Sequence, residues 1–237
     1  MNINNHSKNK KGKYLKIVIT FLVFAFIIYV GYDGLSNKGK IDYKRDRNKT
    51  VLTIDGENIT FSDIAYYFLR KERDIEEEAL IYNPSAPKDF WNTQKHGIIL
   101  SAKVKKETLE LIIHDAIIYK LAKENKVELN LKEQEYFFDK RKDFWDDLYE
   151  EQLENLYTTR ANVNIAMRKT AIAQKYQKML AEKKKISYAR LSYGGDIYEN
   201  MLKEHKVRVN KRLWNRVIMG EVTLRHHKVN FVHKILN

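Results

Sequence analysis

Both prolines of this chain, Pro84 and Pro87, fall in one stretch, YNPSAPKDFW, and the rest of its 237 residues contains none. Proline ends helices and removes a backbone donor, so its absence elsewhere permits long uninterrupted helices. Only nine glycines accompany them, while charged residues make up 32% and hydrophobic residues 43%. That balance gives solvated helices around a real core and excludes general disorder. The chain is therefore expected to be mainly α, with one medium domain.

The formal charge of +13 is unevenly placed. Residues 1–40 carry seven lysines and one aspartate, and residues 201–237 carry nine basic and two acidic residues. Residues 41–200 hold 28 of each sign and are neutral. Two basic ends on a neutral body do not make the basic stripe of a nucleic-acid binder, so no nucleic-acid partner is expected. The absence of cysteine excludes disulfides, thiol catalysis and lipid attachment through a lipobox cysteine.

The N-terminal charge has a second reading. YLKIVITFLVFAFIIYVGY, Tyr14 to Tyr32, is free of charge from Ile17 onward. As a helix it rises roughly 28 Å, close to the hydrocarbon thickness of a bilayer. Lysines 8, 10, 11, 13 and 16 precede the apolar run, which predicts a cytoplasmic tail over 1–13, a membrane anchor over 14–32 and an exterior body. The competing reading is a cleaved signal peptide; GYDGLSNKG offers no small-x-small cleavage site.

Beyond a polar linker over 33–50, Val51 to Ile59 reads as two short strands around an Asp55-Gly56 turn. Thr60 or Ser62 caps a helix running to about Ile81, with Ile64, Tyr67, Phe68 and Ile75 near one face. After the proline loop, Leu109, Ile112, Ile113, Ala116, Ile117 and Leu121 mark the buried face of a helix over about Ile98–Asn125. Asn130 and Glu133 form a capping-box pattern before the next helix, and a short helical stretch is expected over 150–157. A further helix covers Ala161–Lys184, and Asp196–His205 is helical. KVRVN is a strand able to pair with Val51–Ile54. Asn210 caps KRLWNRVIMG, stopped by Gly220. Residues 221–237 form a basic tail.

Phosphate loops, nucleophile elbows and metalloprotease motifs are missing from the sequence. No catalytic residue, cofactor or metal is expected. His226, His227 and His233 lie in the basic tail, which repels cations, and His114 reads as a histidine at the edge of the core. The aromatic residues are more informative. Adjacent pairs such as Phe90-Trp91 and Phe144-Trp145 do not share one helix face, so part of each pair is left for a partner. Candidate contacts for unfolded polypeptide are Tyr66, Phe90, Trp91, Phe138, Phe144, Trp145 and Tyr149.

The order of these elements resembles the SurA-like and PrsA-like (trigger factor/SurA peptide-binding) N-terminal chaperone domain. VLTIDGENITFSDIAYY is similar to its opening strand, DG turn and helix. LELIIHDAIIYKLAKENKVELNLKEQE is similar to its next helix and link, and YENMLKEHKVRVNKRLWNRV to its return segment. The resemblance implies a helical lobe with a small β-sheet, closed by a return segment that brings Val207–Val209 and Trp214 back to the first strand. Many relatives insert a parvulin-type prolyl isomerase before that segment. Here only KISYARLSYGG occupies the position, too short for such a domain.

These readings together predict a membrane-anchored extracytoplasmic chaperone-like protein. It would bind unfolded or newly exported polypeptides without catalysis, across a domain spanning 51–220. The alternatives are a foldase related to the prolyl isomerases, or a membrane scaffold for one folded partner.

Overall fold

The computed structural model describes residues 41–220 apart from 149–152, 154, 155 and 157. All of them belong to one unit that starts at Ile41. The expected anchor over 14–32, the tails 1–13 and 221–237, and most of the 150–157 stretch lie outside the described residues. Among the described residues no helix is long and apolar enough to cross a membrane.

The body is mainly helical with a small antiparallel sheet. A short helix α1 (Tyr43–Asp46) precedes strand β1 (Thr50–Ile54) and strand β2 (Glu57–Thr60). Asp55 and Gly56 join the strands with φ of 51° and 89°. Both values are positive, as a tight two-residue hairpin with right-twisted strands requires. Thr60 then caps α2 (Phe61–Tyr82) in a capping box: its backbone N–H donates to the Asp63 carboxylate at 2.9 Å.

After the prolines, a 3-10 helix (Pro87–Asn92) and a small hairpin, β3 (Gln94–Lys95) and β4 (Ile98–Ile99), lead into α3 (Leu100–Glu124). The hairpin corrects the expected helix start at Ile98. His96 and Gly97, at φ of 55° and 77°, turn the chain, so Ile98 and Ile99 pair back instead of coiling. Helix α4 (Leu131–Asp146) opens with the expected Asn130–Glu133 capping box, and α5 (Arg160–Lys184) is capped by Thr159. A second 3-10 helix (Tyr188–Leu191), α6 (Asp196–Leu202), β5 (Val207–Val209) and α7 (Lys211–Trp214) complete the order. Helix α6 stops three residues short of His205. Helix α7 covers only the start of the expected helix; Gly220 has positive φ but lies well beyond its end.

The sheet order is β2-β1-β5, so the last strand closes the first. Leu52 and Ile54 stand opposite Val209 and Val207. The core gathers between this sheet and helices α2, α3 and α5. Phe61, Ile64, Phe68 and Leu69 meet Leu52, Ile112 and Ile117 there, each at most 2% exposed. Burying side chains of this size stabilises by about 1.5–3 kcal/mol each.

Residues 41–50 are part of the fold, which corrects the linker over 33–50. The Ile41 N–H donates to the Arg216 carbonyl at 3.2 Å, and the Asp46 side chain is fully buried. Asp46 meets Arg45 at 3.0 Å, Lys49 at 2.8 Å and Arg216 at 3.8 Å. At the other end of the sheet Asp55 accepts from Lys120 Nζ at 2.5 Å, His205 Nδ1 at 2.7 Å and the Lys206 N–H at 2.7 Å. Two carboxylates thus tie the return segment down.

Hydrogen bonding, first from Arg45 for Asp46 and first from Lys120 for Asp55, holds both carboxyls far below their ordinary value of 3.8. The unfolded chain therefore binds protons at these sites more readily than the folded one. Their stabilisation is complete above pH 3.8 and is lost as pH falls through the lower folded values. Denaturant midpoints of fragment 41–237 are expected to be flat from pH 6 to 5 and to drop below pH 4. The Asp46→Asn variant should show a smaller drop.

Candidate functional site

A cleft of about 300 Å³ opens between β2, α2, α3 and α5. The strand contributes Ile59, whose side chain is fixed by the alternation of the pleat. Ile64 and Tyr67 stand one turn apart on α2, and Ile112, Ala116 and Tyr119 follow the same spacing on α3; Ala166 of α5 closes the wall. Around this apolar lining stand Glu57, Asp63, Lys120, Lys123, Glu124 and Lys169. Lys120 is held by Asp55, and Lys169 lies 3.7 Å from Asp63.

The floor is a buried polar network. Asp115 Oδ2 accepts from the Tyr67 hydroxyl at 3.0 Å and from the Thr170 hydroxyl at 3.4 Å. Its other oxygen lies 2.9 Å from His114 Nδ1, and His114 Nε2 lies 2.9 Å from the Leu191 carbonyl. A carbonyl only accepts, so Nε2 carries a hydrogen and donates it. One further proton then sits between Nδ1 and the Asp115 carboxylate. Burial first, and the Asp115 charge second, push the Tyr67 phenol well above its ordinary value. Tyr67 therefore stays protonated and serves as a donor.

This network joins α2, α3 and α5 to the 3-10 helix at Leu191. Each of its polar side chains already has a protein partner, so it fixes the cleft's shape. Among the described residues, no group of three or more histidines and acids is placed to hold a metal ion. His226, His227 and His233 lie outside those residues.

Among the described residues, none of the expected client contacts lines the cleft. Tyr66, Trp91 and Phe144 are 8%, 3% and 6% exposed and belong to the core, a correction to their reading as surface contacts. Helix α2 is buried on all sides from Ile64 to Leu69, so Tyr66 packs edge-on against Phe144 at 5.5 Å. Trp91 is covered at Gly220, where a Cβ would come within 2.6 Å of the indole. Phe90 and Trp145 are half-buried, as their pairing with buried neighbours requires. Phe90 lies 5.3 Å from the exposed Tyr82, and Trp145 Nε1–H donates to Asn164 at 2.8 Å. Phe138 is exposed beneath the Arg141 guanidinium, 5.1 Å from its centroid. Tyr149 lies outside the described residues.

The sequence did carry a signal for the floor. His114-Asp115 interrupts the apolar run LIIHDAII, and a charge there is either exposed or paired. Here it is paired with Tyr67 and Thr170, residues 48 and 55 positions away.

In comparisons with known proteins, a model of the SurA-like N-terminal domain matches residues 3–177. Neither a curated protein nor a solved structure matches the chain. The matched stretch takes in β1, β2, α2, α3, α4 and most of α5, and so all the elements around the cleft; it ends before β5 and α7. On this match over most of its length, the chain belongs to the SurA-like N-terminal domain family.

Proposed function

We propose that this member of a chaperone-type family holds unfolded or newly exported polypeptides by noncovalent contact, on the outer side of a membrane to which residues 14–32 anchor it. The observation that carries the reading is the 300 Å³ cleft, with apolar walls and charges of both signs around them. Such a lining takes up apolar side chains while tolerating varied flanking sequence. Phe138 and Tyr136 on α4, with Tyr82 and the half-buried Phe90 and Trp145, add shallow aromatic contacts outside it. The anchor would raise the local concentration of this holder where polypeptides emerge.

The short segment between α5 and α6 bears on the foldase alternative. Leu191 is fully buried there and its carbonyl receives His114. The segment is a packed part of the lobe, and an isomerase domain inserted at Leu191 would break the network under the cleft. The test is aggregation of an unfolded client, alone and with the chain, beside a proline-peptide isomerisation assay. Suppression without faster isomerisation is expected. Capture of one stoichiometric folded partner and no unfolded client would favour the scaffold reading instead.

A further inference from the structure

We infer that the occupant of the cleft is an extended polypeptide that adds as a fourth strand along the free edge of β2, pairing with the backbone of Asn58, and that its basic flanks face Glu57 and Glu124. The inference rests on the polypeptide-holding reading and specifies how the segment is held.

The edge is defined by register. Asp55 N–H donates to the Lys206 carbonyl and Asn210 N–H to the Val51 carbonyl. Val51, Thr53 and Asp55 therefore turn their backbone groups toward β5, and by alternation Leu52 and Ile54 turn theirs toward β2. Their partners are Ile59 and Glu57. Asn58 lies between those two, opposite Thr53, so its N–H and C=O point away from the sheet. Strand β2 ends the sheet, and no described residue bonds to these two groups. The next outward donor, the Thr60 N–H, is already taken by Asp63. One donor and one acceptor in strand geometry thus stand open beside the cleft, which Asn58 itself lines.

Such a pair is complementary to another backbone, and this identifies the occupant as polypeptide. A strand added there places alternate side chains toward the cleft, whose walls Ile59, Ile64, Ile112 and Tyr119 suit one large uncharged side chain. Charge selects the flanks. Around the cleft stand three carboxylates, Glu57, Asp63 and Glu124, and three lysines, while Asp115 is buried beneath in its own network. Lys120 and Lys169 are each paired with an aspartate, Asp55 and Asp63, so Glu57 and Glu124 outnumber Lys123, the one other lysine of the lining.

The experiment uses the full-length chain and a fluorescein-labelled peptide with a central phenylalanine, threonine neighbours and lysine flanks, read by anisotropy. Asn58→Pro removes the outward N–H and no bond within the protein, since edge strands tolerate proline. Asn58→Ala keeps the N–H and controls for the side chain. Binding weakened about tenfold or more by Asn58→Pro, and less than twofold by Asn58→Ala, is expected. The same peptide with N-methylated central amides should bind equally poorly to the unaltered chain, a result independent of how well the proline variant folds. Glutamate flanks should also weaken binding. A chain that suppresses client aggregation yet binds methylated and unmethylated peptides alike overturns the strand-addition inference and leaves the holding function intact. A chain that binds neither peptide and no unfolded client overturns both.

Discussion

Replacing Trp214 by alanine is expected to lower the stability of fragment 41–237 by about 3–5 kcal/mol, the range for a large aromatic removed from a core. The indole is 7% exposed and stacks on Phe68, with centroids 5.9 Å apart and planes 26° from parallel. Phe68 meets Tyr43 edge-on at 5.9 Å, and Tyr43 meets Phe61 at the same distance. One run of rings therefore joins α7 to α2 and to the first helix of the body. The Lys105 ammonium lies 5.9 Å from the indole and donates to the Val217 carbonyl at 2.7 Å. Alanine would leave a cavity where these three pieces of chain meet. For a body of this size the loss corresponds to a melting point lower by roughly 6–20 °C. Trp214→Phe should recover more than half of it by keeping a stacked ring. A loss under about 1 kcal/mol in chemical denaturation would mean that the return segment does not melt with the lobe.

The parts of the fold legible in sequence are those set by neighbours in the chain. Asp55-Gly56 specified a hairpin because a two-residue turn needs two positive φ values. Asn130 and Glu133 specified a helix start because the cap is complete within four residues. Pairing of Val207–Val209 with the first strand was reachable from the family resemblance and the short alternating pattern. The cleft was not. Its walls come from four elements, and nothing local distinguishes an isoleucine on a cleft wall from one in the core. The sequence offers Tyr66 and Phe144 as surface contacts, Phe144 on the rule that adjacent aromatics on a helix diverge. The rule holds for Phe144 and Trp145, but the more deeply buried member was not predictable without knowing where α5 packs. The second half of the expected 33–50 linker is instead part of the fold for a related reason. Its charges look solvated until Arg216, 170 positions after Asp46, comes back within 3.8 Å.

Asp115→Ala is the second substitution with a large expected effect, about 3–5 kcal/mol, because it removes one partner of a buried charged cluster. The Tyr67 and Thr170 hydroxyls lie 3.2 Å apart, so one could still donate to the other, but the second would lose its acceptor and His114 Nδ1 would face a void. Desolvated donors with nothing to meet cost about 1–3 kcal/mol each before relaxation or entering water offsets part of it. Asp115→Asn separates charge from geometry. The amide oxygen can accept from Tyr67 while the amide nitrogen donates to His114 Nδ1, and Nε2–H still reaches the Leu191 carbonyl. Every bond of the network survives with a neutral imidazole, so the asparagine variant is expected to lose only about 1 kcal/mol. Chemical denaturation of both variants makes the comparison. Equal, large losses would show that the carboxylate's charge holds the floor of the cleft together. A large loss for alanine alone assigns that work to the directed hydrogen bonds linking α2, α3 and α5, and ties the cleft's shape to a residue buried beneath it.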